Sequence, residues 1–292
     1  MRLEENCPLS RLTTIGTGGP ARAFVRAGTL AELQEALGYA AEEGLPTAVV
    51  GLGSNLLAAD SGVDALVVKL TGELAAVELR DSIVHAGGGA PNAVVLHRVR
   101  AAGLGGFEFA CAIPGTVGGG VRMNAGAYGG DFAAVLVRAL VVDASRAEWW
   151  TASELALAYR HSALVPGQVV AEADLLLEPR PAAEIRETIA GLQAQRKAAQ
   201  PTNKRTFGSV FKNPGHELSA GRMLDECGLR GFRIGGAQIS TRHANFIENA
   251  GGARTEDALE LMAESRRRAS ERFGVLLEHE VDLLGGIELP PL

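Results

Sequence analysis

The spacing of hydrophobic residues changes period along the chain and separates predicted strands from predicted helices. Thr29-Leu30-Ala31-Glu32 has the pattern of a capping box, and apolar residues continue at helical spacing to Gly44. Short apolar runs at 46–50 and 65–70 predict buried strands that flank a Gly-rich loop. Residues 29–70 are therefore expected to form a strand–helix–strand-like unit with a loop at a strand end.

The same periodicities predict the remaining elements and an α+β fold class with mixed sheets. The segment 106–130 is predicted to be loop-rich, and the helix at 91–102 is expected to bury Val94, Val95 and Val99. Strands are predicted at 75–86 (two short ones), 138–143, 169–177, 233–248 and 275–283, and further helices at 153–158, 182–199, 220–227 and 255–273.

Composition limits the classes of partner. A length of 292 residues allows two or three domains, and the net charge of −6 argues against nucleic acid or an anionic membrane as the main partner. Cys7, Cys111 and Cys227 are widely separated, which argues against disulfides and predicts no metal site. No secretory signal and no run of about 20 apolar residues is visible, so a cytoplasmic protein is expected.

Glycine is abundant, and its clusters in the first 130 residues indicate a large ligand approached by the backbone, although each cluster alone fits a tight turn. The loop Gly51-Leu52-Gly53-Ser54-Asn55-Leu56 follows a predicted strand but lacks the third glycine of a dinucleotide fingerprint. Its N–H groups suit either an anion-binding nest for a pyrophosphate or a simple Asn-containing turn. Ile113-Pro114-Gly115, with further glycines to Gly129, would admit a flat or phosphorylated ligand.

A third segment, Asn203–Pro214, places Ser209 between a glycine and Phe-Lys-Asn-Pro, which is typical of a substrate-reading loop. Together with the two Gly-rich loops, its order and spacing resemble the UDP-N-acetylenolpyruvoylglucosamine reductases, flavoenzymes of peptidoglycan precursor synthesis. The similarity runs nearly from end to end. Its motifs are Thr14–Ala21, Gly51–Leu57, Ile113–Gly130, Tyr159-Arg160-x-Ser162, Gly208–Pro214, Gly228–Gly231, Ile234–Ala237, His243–Phe246 and Leu277–Val281.

The resemblance implies two FAD-binding subdomains, 1–70 and 71–200, and a substrate-binding domain, 201–292. It implies non-covalent FAD, NADPH as co-substrate and UDP-N-acetylglucosamine-enolpyruvate as small-molecule substrate, and it leaves the oligomeric state open. Substrate contacts are expected from Tyr128, Asn213 and His243. FAD contacts are expected from Gly51, Gly53, Ser54, Asn55, Leu56, Ile113, Pro114, Gly115, Gly118, Gly119, Asn124 and Gly126.

The implied reaction reduces an enol ether, and three residues receive catalytic roles by resemblance. Arg160 would hold the substrate carboxylate, Glu280 would donate to the developing enediolate, and Ser209 would protonate carbon. Without the resemblance, each residue has a simpler explanation: a surface ion pair for Arg160, an outward-facing strand residue for Glu280, and a loop hydroxyl bonded to backbone for Ser209.

Departures from the family's pattern concern charge and the substrate clamp. His279 stands where proline is common, Asp282 where a basic residue is common, and Ala199-Gln200-Pro201 lacks the family's lysine, for which Arg196, Lys197 or Lys204 could substitute. The only tyrosines are Tyr39, Tyr128 and Tyr159, so the chain resembles the shorter form without the tyrosine-bearing insert. Two alternatives remain: an FAD-dependent oxidase of the same superfamily and a non-catalytic nucleotide-sugar-binding protein.

Overall fold

The computed structural model describes residues 1–291, which divide into two compact units. The first unit comprises residues 1–5, 23–52 and 65–196. The second comprises residues 6–22 and 53–64 together with the chain from Lys197 onward. Among the described residues, no helix combines the length and apolar character needed to cross a membrane.

Most of the helices agree with the predicted helical segments, although one short helix lies within the segment 106–130 that was predicted to be loop-rich. Thr29 caps the first of them, since its side chain accepts a hydrogen bond from the N–H of Glu32 at 3.2 Å. Within residues 1–291 the α-helices are α1 (Leu30–Glu42), α2 (Asn92–Ala101), α3 (Val117–Arg122), α4 (Ala182–Ala199), α5 (Ala220–Glu226) and α6 (Thr255–Phe273).

The strands form mixed sheets, as expected for the α+β class. The described strands are β1 (Leu3–Pro8), β2 (Pro20–Ala27), β3 (Thr47–Val49), β4 (Leu56–Ala58), β5 (Val63–Leu70), β6 (Val77–Arg80), β7 (Ile83–Gly87), β8 (Leu104–Gly105), β9 (Gly126–Ala127), β10 (Gly130–Asp131), β11 (Leu136–Val142), β12 (Ala147–Thr151), β13 (Val169–Leu176), β14 (Glu178–Pro179), β15 (Thr206–Ser209), β16 (Arg233–Ile234), β17 (Ala237–Ile239), β18 (Phe246–Asn249) and β19 (Asp282–Leu284).

The first unit is built around an antiparallel sheet in the order β12-β11-β13-β7-β6. Its main core joins this sheet to α2, α3 and α4. Phe107, Phe109 and Phe132 pack edge to face in that core, with ring centroids 5.3–6.0 Å apart. These rings fix both ends of the Gly-rich segment between Phe109 and Phe132, which contains α3, β9 and β10.

The second unit combines an antiparallel sheet, β15-β18-β17-β16, with α5 and α6. Its core also contains Ile15 and Leu57, which come from the two N-terminal segments of the unit. The parallel pair β4–β19 lies in the same unit, with Asp282 opposite Leu56. Thr255, at the start of α6, donates to the carbonyl of Ala58 at 2.6 Å. The N-terminal segments are therefore integral to this unit.

One face of α2 differs from its prediction. The helix buries Asn92, Val95, Leu96 and Val99, whereas Val94 is 42% exposed. The buried positions follow the spacing i, i+3, i+4, i+7 of a single helix face, and Val94 lies outside it. The expectation that Val94 faces the core is wrong.

Two short elements are absent where the sequence predicted them. Residues 153–158 form turns rather than a helix, and Ala156 has a φ of +44°, which no helix contains. The predicted strand 275–283 is also wrong over its first part, because Val275–Leu277 has no strand partner and pairing begins only with an isolated bridge at His279. Gly274, at a φ of +66°, ends α6 and turns the chain away before this segment.

Candidate active site

Ser209 lies at the end of β15, directly after a β-bulge. Thr206 pairs with Glu248 and Ser209 with Phe246, so β15 contains one extra residue relative to β18. Gly208 has a φ of +85°, and its N–H donates to the Thr206 hydroxyl at 2.9 Å. A bulge changes the direction in which the next side chain points. The local sequence Thr-Phe-Gly-Ser therefore sets the half-buried Ser209 apart from a regular strand residue.

Glu280 lies on the segment Leu277–Val281 (the Glu280 segment), which is bonded to Gly208–Pro214 (the Ser209 loop). Its N–H donates to the carbonyl of Val210 at 2.8 Å, and the N–H of Lys212 donates to the carbonyl of Glu278 at 2.9 Å. Glu278 is exposed and forms an ion pair with Lys212 at 3.2 Å, whereas Glu280 is half-buried. The two glutamates of the motif thus differ in environment. Glu280 is the one whose backbone N–H is bonded to Val210, the residue after Ser209.

The Gly53–Leu56 part of the first Gly-rich loop lies against the same segments of the second unit. The side-chain amide of Asn55 donates to the carbonyl of Glu280 at 3.1 Å, and the N–H of Asp282 donates to the carbonyl of Asn55 at 3.0 Å. Asn55 therefore holds Glu280 in place through its backbone. A role for this part of the loop at FAD stays a prediction.

His243 has a defined tautomer in this structure. Its Nδ1 is 3.2 Å from the backbone N–H of Asn245, which can only donate, so Nδ1 is the acceptor and the ring hydrogen is on Nε2. Burial, together with the nearby Arg230 guanidinium, lowers the pKa of His243. The neutral imidazole thus offers a hydrogen-bond donor, which suits a contact to a carbonyl or phosphate oxygen.

Asn213 is exposed, yet its side chain already has a structural task. Its Oδ1 accepts from the backbone N–H of Ala220, the first residue of α5, at 3.1 Å. This bond ties the end of the Ser209 loop to α5. A contact from Asn213 to substrate stays a prediction.

In the first unit, Tyr128 and Arg160 occupy the tips of two turns that contact each other. Tyr128 and Gly129 connect β9 to β10 and both have positive φ, the geometry of a type I′ hairpin. Arg160 has a φ of +53° in the turn closed by Ala158 and His161. The guanidinium of Arg160 donates to the carbonyl of Gly126 at 2.8 Å, so the two turns are joined.

Asn124 connects the same two turns from beneath. Its Nδ2 donates to the carbonyl of Ala158 at 3.0 Å, and its Oδ1 accepts from the N–H of Ala133 at 2.9 Å. The residue is 2% exposed. Because the side-chain amide is used within the protein, Asn124 supports the position of Arg160, and its predicted contact with FAD would have to involve the backbone.

The glycines of the two Gly-rich stretches in the first unit differ in how their backbone groups are used. The N–H groups of Gly51 and Leu52 donate to no backbone carbonyl within residues 1–291, and Gly119 is exposed. By contrast, the N–H of Gly118 donates to the carbonyl of Gly88 at 2.8 Å. A Cβ on Gly118 would lie 3.0 Å from two carbonyl oxygens, so packing alone explains this glycine.

A cavity of about 360 Å³ lies beside Ile113–Gly115 in the first unit. Apolar walls come from residues such as Leu52, Leu96 and Ile189, and three basic side chains, His97, Arg100 and Arg196, also line it. Its lining includes no acidic residue. Apolar walls suit the base of a nucleotide, and the guanidinium groups of Arg100 and Arg196 suit its phosphates. The residues present thus fit a nucleotide portion of FAD.

Sequence reasoning missed two asparagines that hold the candidate loops. The amide of the buried Asn92 donates to the carbonyl of Ile113 at 3.2 Å, and its backbone N–H donates to the carbonyl of Gly115 at 2.9 Å. Asn245 bonds to the backbone of Phe211 with both polar atoms of its side chain. The sequence does not show that a polar residue at a helix start or before a strand will bond to the backbone of a distant loop. The catalytic and binding roles of the predicted site residues themselves stay predictions.

Comparison with known families covers almost the whole chain. Residues 200–284 match the C-terminal domain of UDP-N-acetylenolpyruvoylglucosamine reductase, and residues 21–152 match an FAD binding domain. UDP-N-acetylenolpyruvoylglucosamine reductase 2 of Symbiobacterium thermophilum is 43% identical over 97% of this chain and 92% of its own length. The reductase of Syntrophotalea carbinolica is 41% identical over 95% of this chain and 93% of its own length.

A solved structure agrees with the fold. The UDP-N-acetylenolpyruvylglucosamine reductase (MurB) of Thermus caldophilus superposes with a TM-score of 0.86 at 38% identity, covering 97% of this chain and 99% of the other. Identity at this level over nearly the full length of both chains exceeds what a shared fold alone requires. The chain belongs to the UDP-N-acetylenolpyruvoylglucosamine reductase family.

Proposed function

We propose that this chain is an FAD-containing, NADPH-dependent reductase that converts the enolpyruvyl ether of UDP-N-acetylglucosamine-enolpyruvate to UDP-N-acetylmuramate, a step of peptidoglycan precursor synthesis. The observation that carries the proposal is the agreement with the Thermus caldophilus reductase over 97% of this chain. The proposal includes a cytoplasmic location and no nucleic-acid partner.

FAD would be held in the first unit by residues that fit a nucleotide. Gly51 and Leu52 would offer backbone N–H groups to a pyrophosphate, and the cavity beside Ile113–Gly115 would take a nucleotide portion. When bound, FAD supplies a carrier that accepts hydride from NADPH and passes it to the enolpyruvyl methylene carbon. We propose residues 1–70 and 71–200 as the FAD-binding subdomains and 201–292 as the substrate-binding domain.

Arg160 would bind the substrate carboxylate. Addition of hydride to the methylene carbon moves electron density onto that carboxylate, giving an enediolate-like species with negative charge on its oxygens. A guanidinium remains protonated throughout and can donate two parallel hydrogen bonds to a carboxylate. The bond from Arg160 to the Gly126 carbonyl and the support from Asn124 hold the guanidinium in advance, which lowers the cost of ordering it during the reaction.

Ser209 and Glu280 would complete the reaction. The enediolate must receive a proton at the adjacent carbon, and the hydroxyl of Ser209, directed by the bulge, would donate it. A serine hydroxyl is a weak acid, so it serves only a strongly basic carbon held close to it. The half-buried Glu280, on the segment bonded to Val210, would donate a hydrogen bond to an enediolate oxygen when protonated.

The remaining predicted contacts would orient the UDP-sugar. Neutral His243 offers an Nε2–H donor, Tyr128 presents a half-exposed ring at the tip of its hairpin, and the side chain of the exposed Asn213 carries an amide. Each of these groups is a donor or an aromatic surface. The donors suit the oxygen acceptors of a UDP-sugar, and the aromatic surface suits its base.

The test is anaerobic and separates the two half-reactions. The flavin of the purified protein is reduced with NADPH, and UDP-N-acetylglucosamine-enolpyruvate is then added while the visible spectrum is followed. Rapid return of oxidised flavin in the absence of oxygen is expected. Flavin that stays reduced until air is admitted would favour the oxidase alternative, and a protein that binds no FAD would favour the non-catalytic binding protein.

Ser209→Ala should leave reduction of the flavin by NADPH unchanged and slow its reoxidation by substrate by about 10²–10⁴-fold, the typical contribution of general acid catalysis. Stopped-flow absorbance measures both rates. The exposed Ser61 provides a matched control, and Ser61→Ala should retain both rates. Normal reoxidation in Ser209→Ala would contradict a role as proton donor.

Arg160→Ala should likewise spare reduction by NADPH and impair reoxidation, because the developing charge on the carboxylate loses its partner. Arg160→Lys keeps the charge but not the two parallel donors. We expect the reoxidation rate of Arg160→Lys to be slower than that of the unmodified chain and faster than that of Arg160→Ala. Equal rates for Arg160→Ala and the unmodified chain would exclude Arg160 from carboxylate binding.

A further inference from the structure

Asn245 lies immediately before β18 and is 4% exposed. None of the proposed chemical steps uses its side chain. Its side-chain Oδ1 accepts from the N–H of Phe211 at 2.9 Å, and its Nδ2 donates to the carbonyl of the same residue at 2.8 Å. Both polar groups of the side chain are therefore used on one backbone unit, two residues after Ser209.

The backbone of Asn245 bonds to two further segments of the candidate site. Its carbonyl accepts from the N–H of Val210 at 3.0 Å, and its N–H donates to Nδ1 of His243 at 3.2 Å. Val210 in turn accepts from the N–H of Glu280. Asn245 thus connects the Ser209 loop, the His243 ring and, through Val210, the Glu280 segment.

These contacts occur where ordinary strand pairing ends. The ladder between β15 and β18 stops at the pair Ser209–Phe246, beyond the bulge. The amide of Asn245 continues the pairing by substituting for the donor and acceptor that a further strand residue would offer to Phe211. Since Phe211 is 1% exposed, water cannot replace these bonds. The side chain of Asn245 therefore adds to the backbone bonds of Val210 and Lys212 in setting the orientation of the chain that leaves Ser209.

We propose that Asn245 is a positioning residue for the reduction, acting through the Ser209 loop, and this proposal rests on the proposed function. The amide holds Val210 and Phe211 so that the Ser209 hydroxyl faces the carbon to be protonated. Loss of the amide leaves a buried donor and a buried acceptor without partners, and the loop has to shift to satisfy them. Proton delivery is sensitive to such a shift, whereas reduction of the flavin by NADPH does not use the Ser209 hydroxyl.

The first test uses Asn245→Asp, whose carboxyl has the shape of the amide. At neutral pH the carboxylate accepts from the Phe211 N–H but repels the Phe211 carbonyl. When protonated it can donate to that carbonyl and so restores both bonds. Burial raises the pKa of such a carboxyl, which brings its protonation toward an accessible pH. We expect reoxidation of NADPH-reduced flavin by substrate to be about 10- to 100-fold slower than in the unmodified chain at pH 8, as for a misplaced catalytic group.

The reoxidation rate of Asn245→Asp is divided by that of the unmodified chain at the same pH. This ratio should rise as the pH falls from 8 to 5.5. Asn245→Ala cannot recover in this way and should show a ratio independent of pH. An Asn245→Asp ratio that does not rise toward low pH, or a normal rate at pH 8, would overturn the proposal. The rate of flavin reduction by NADPH, measured in the same samples, should stay within about twofold in both variants, within the scatter of independent sites.

The second test is a double-mutant cycle between Asn245 and Ser209. If Asn245 acts through Ser209, Asn245→Asp should slow reoxidation strongly in the unmodified background and by less than about twofold in the Ser209→Ala background, because coupled residues are not additive. An equal slowing in both backgrounds would show that Asn245 acts independently of Ser209 and would refute the proposal.

Asn249, on β18 four residues further along, provides the matched control. It is also an asparagine bonded to backbone, since its Nδ2 donates to the carbonyl of Ile15 and its Oδ1 accepts from the N–H groups of Gly251 and Ala253. Asn249→Asp should affect stability but combine additively with Ser209→Ala in reoxidation. A thermal melt and the flavin content report folding, so an Asn245 variant that retains FAD and reduces it with NADPH tests the proposal independently of stability.

Failure of the proposed function is distinguishable from failure of this inference. If the unmodified chain takes electrons from NADPH but its flavin is not reoxidised by UDP-N-acetylglucosamine-enolpyruvate, the proposed function is wrong and the inference falls with it. If the unmodified chain turns over and the Asn245 variants match it, only the inference is wrong.

Discussion

Six residues other than glycine have positive φ within residues 1–291, and Asn124, Tyr128 and Arg160 are three of them. This conformation costs of order 1–3 kcal/mol for a residue with a Cβ and persists where the surroundings enforce it. All three are predicted site residues: Tyr128 and Arg160 lie in the two joined turns of the first unit, and Asn124 supports these turns. The concentration of strained backbone at these positions agrees with selection for function there.

Tyr128 allows a direct test of that strain. Asparagine tolerates the left-handed region better than tyrosine, so Tyr128→Asn should raise the free energy of unfolding by about 0.5–1 kcal/mol. The same change should weaken binding of the UDP-sugar substrate if Tyr128 contacts it. Urea denaturation measures the first effect and the KM for substrate the second.

Asp81 supplies the comparison, because it has a φ of +53° in the turn between β6 and β7. Asp81→Asn should change the free energy of unfolding by no more than about 0.5 kcal/mol, the usual range for a surface substitution. It should leave the KM for substrate unchanged. Tyr128→Asn that is both less stable and unchanged in KM would show that the tyrosine is kept for packing.

At the residue scale the sequence selects candidate residues, and the roles of these residues stay predictions. Ser209, Glu280 and Arg160 received catalytic roles from the family resemblance, because each residue taken alone has a simpler structural explanation. Asn124, by contrast, was predicted to contact FAD, and its side chain is engaged with Ala133 and Ala158. An asparagine offers the same donor and acceptor to a ligand and to a backbone, so residue type cannot separate the two uses.

Among the elements, the longest helices were the most clearly predicted. Helices α1, α4 and α6 each extend over three or more turns, and repeated apolar positions define them. Residues 153–158 carry too few positions to establish a period. There Glu154 instead accepts from the N–H and the hydroxyl of Thr151, both at 2.7 Å, which stabilises a turn. The strand expected at Val275–Leu277 failed for a related reason, because an apolar run does not show whether a partner strand is available.

The sheet of the first unit contains a polar cluster that links three of its strands. Asp174 on β13 bonds to His85 on β7 at 2.7 Å and to Arg138 on β11 at 2.6 Å, and Glu172 lies 3.4 Å from the His85 ring. Burial by itself would raise the pKa of Asp174. The hydrogen bonds from His85 and Arg138 outweigh burial and lower the pKa below its ordinary value of 3.8.

Asp174→Asn should therefore destabilise the protein in a pH-dependent way. A depressed pKa in the folded state means that the carboxylate stabilises the fold fully above pH 3.8 and that this contribution is lost as the pH falls through the folded value. We expect a loss of about 1.5–3 kcal/mol at pH 7, typical of hydrogen bonds to a charged group. The difference from the unmodified chain should narrow below pH 3.8, as measured by urea unfolding across the range.

Glu178, in an exposed pair with Arg180 at 3.2 Å, is the control for this experiment. Glu178→Gln should change stability by less than about 1 kcal/mol, as expected of a surface ion pair. A loss at pH 7 in Asp174→Asn no larger than that of Glu178→Gln would show that the cluster does not hold the strands together.

For the whole molecule, the second unit is discontinuous in sequence. The C-terminal family match covers residues 200–284, yet the core of this unit includes Ile15 and Leu57, and β4 pairs with β19. The sequence predicted a contiguous domain at 201–292, and this division stays a prediction. Apolar periodicity describes each segment alone and does not show which distant segment will cover it.

A fragment beginning at Lys197 should consequently fail to fold cooperatively. It lacks both Ile15 and Leu57, and loss of a large core side chain costs about 2–5 kcal/mol each, against a total stability of roughly 5–15 kcal/mol. Circular dichroism should show no sigmoidal thermal transition. Within the intact chain, Leu57→Ala should lower the free energy of unfolding by about 2–5 kcal/mol. A fragment that melts as sharply as the full chain would contradict the requirement for the N-terminal segments.

The discontinuity also has a consequence during synthesis. Residues 6–22 and 53–64 leave the ribosome before any of the chain from Lys197 onward exists, and the 132 residues 65–196 are made in between. At about 5–20 residues per second this interval lasts roughly 7–26 s. Over that time Ile15 and Leu57 have none of their later core neighbours from the C-terminal segment. The growing chain therefore carries apolar side chains whose burial depends on residues not yet translated, and its yield of folded protein should be sensitive to translation speed.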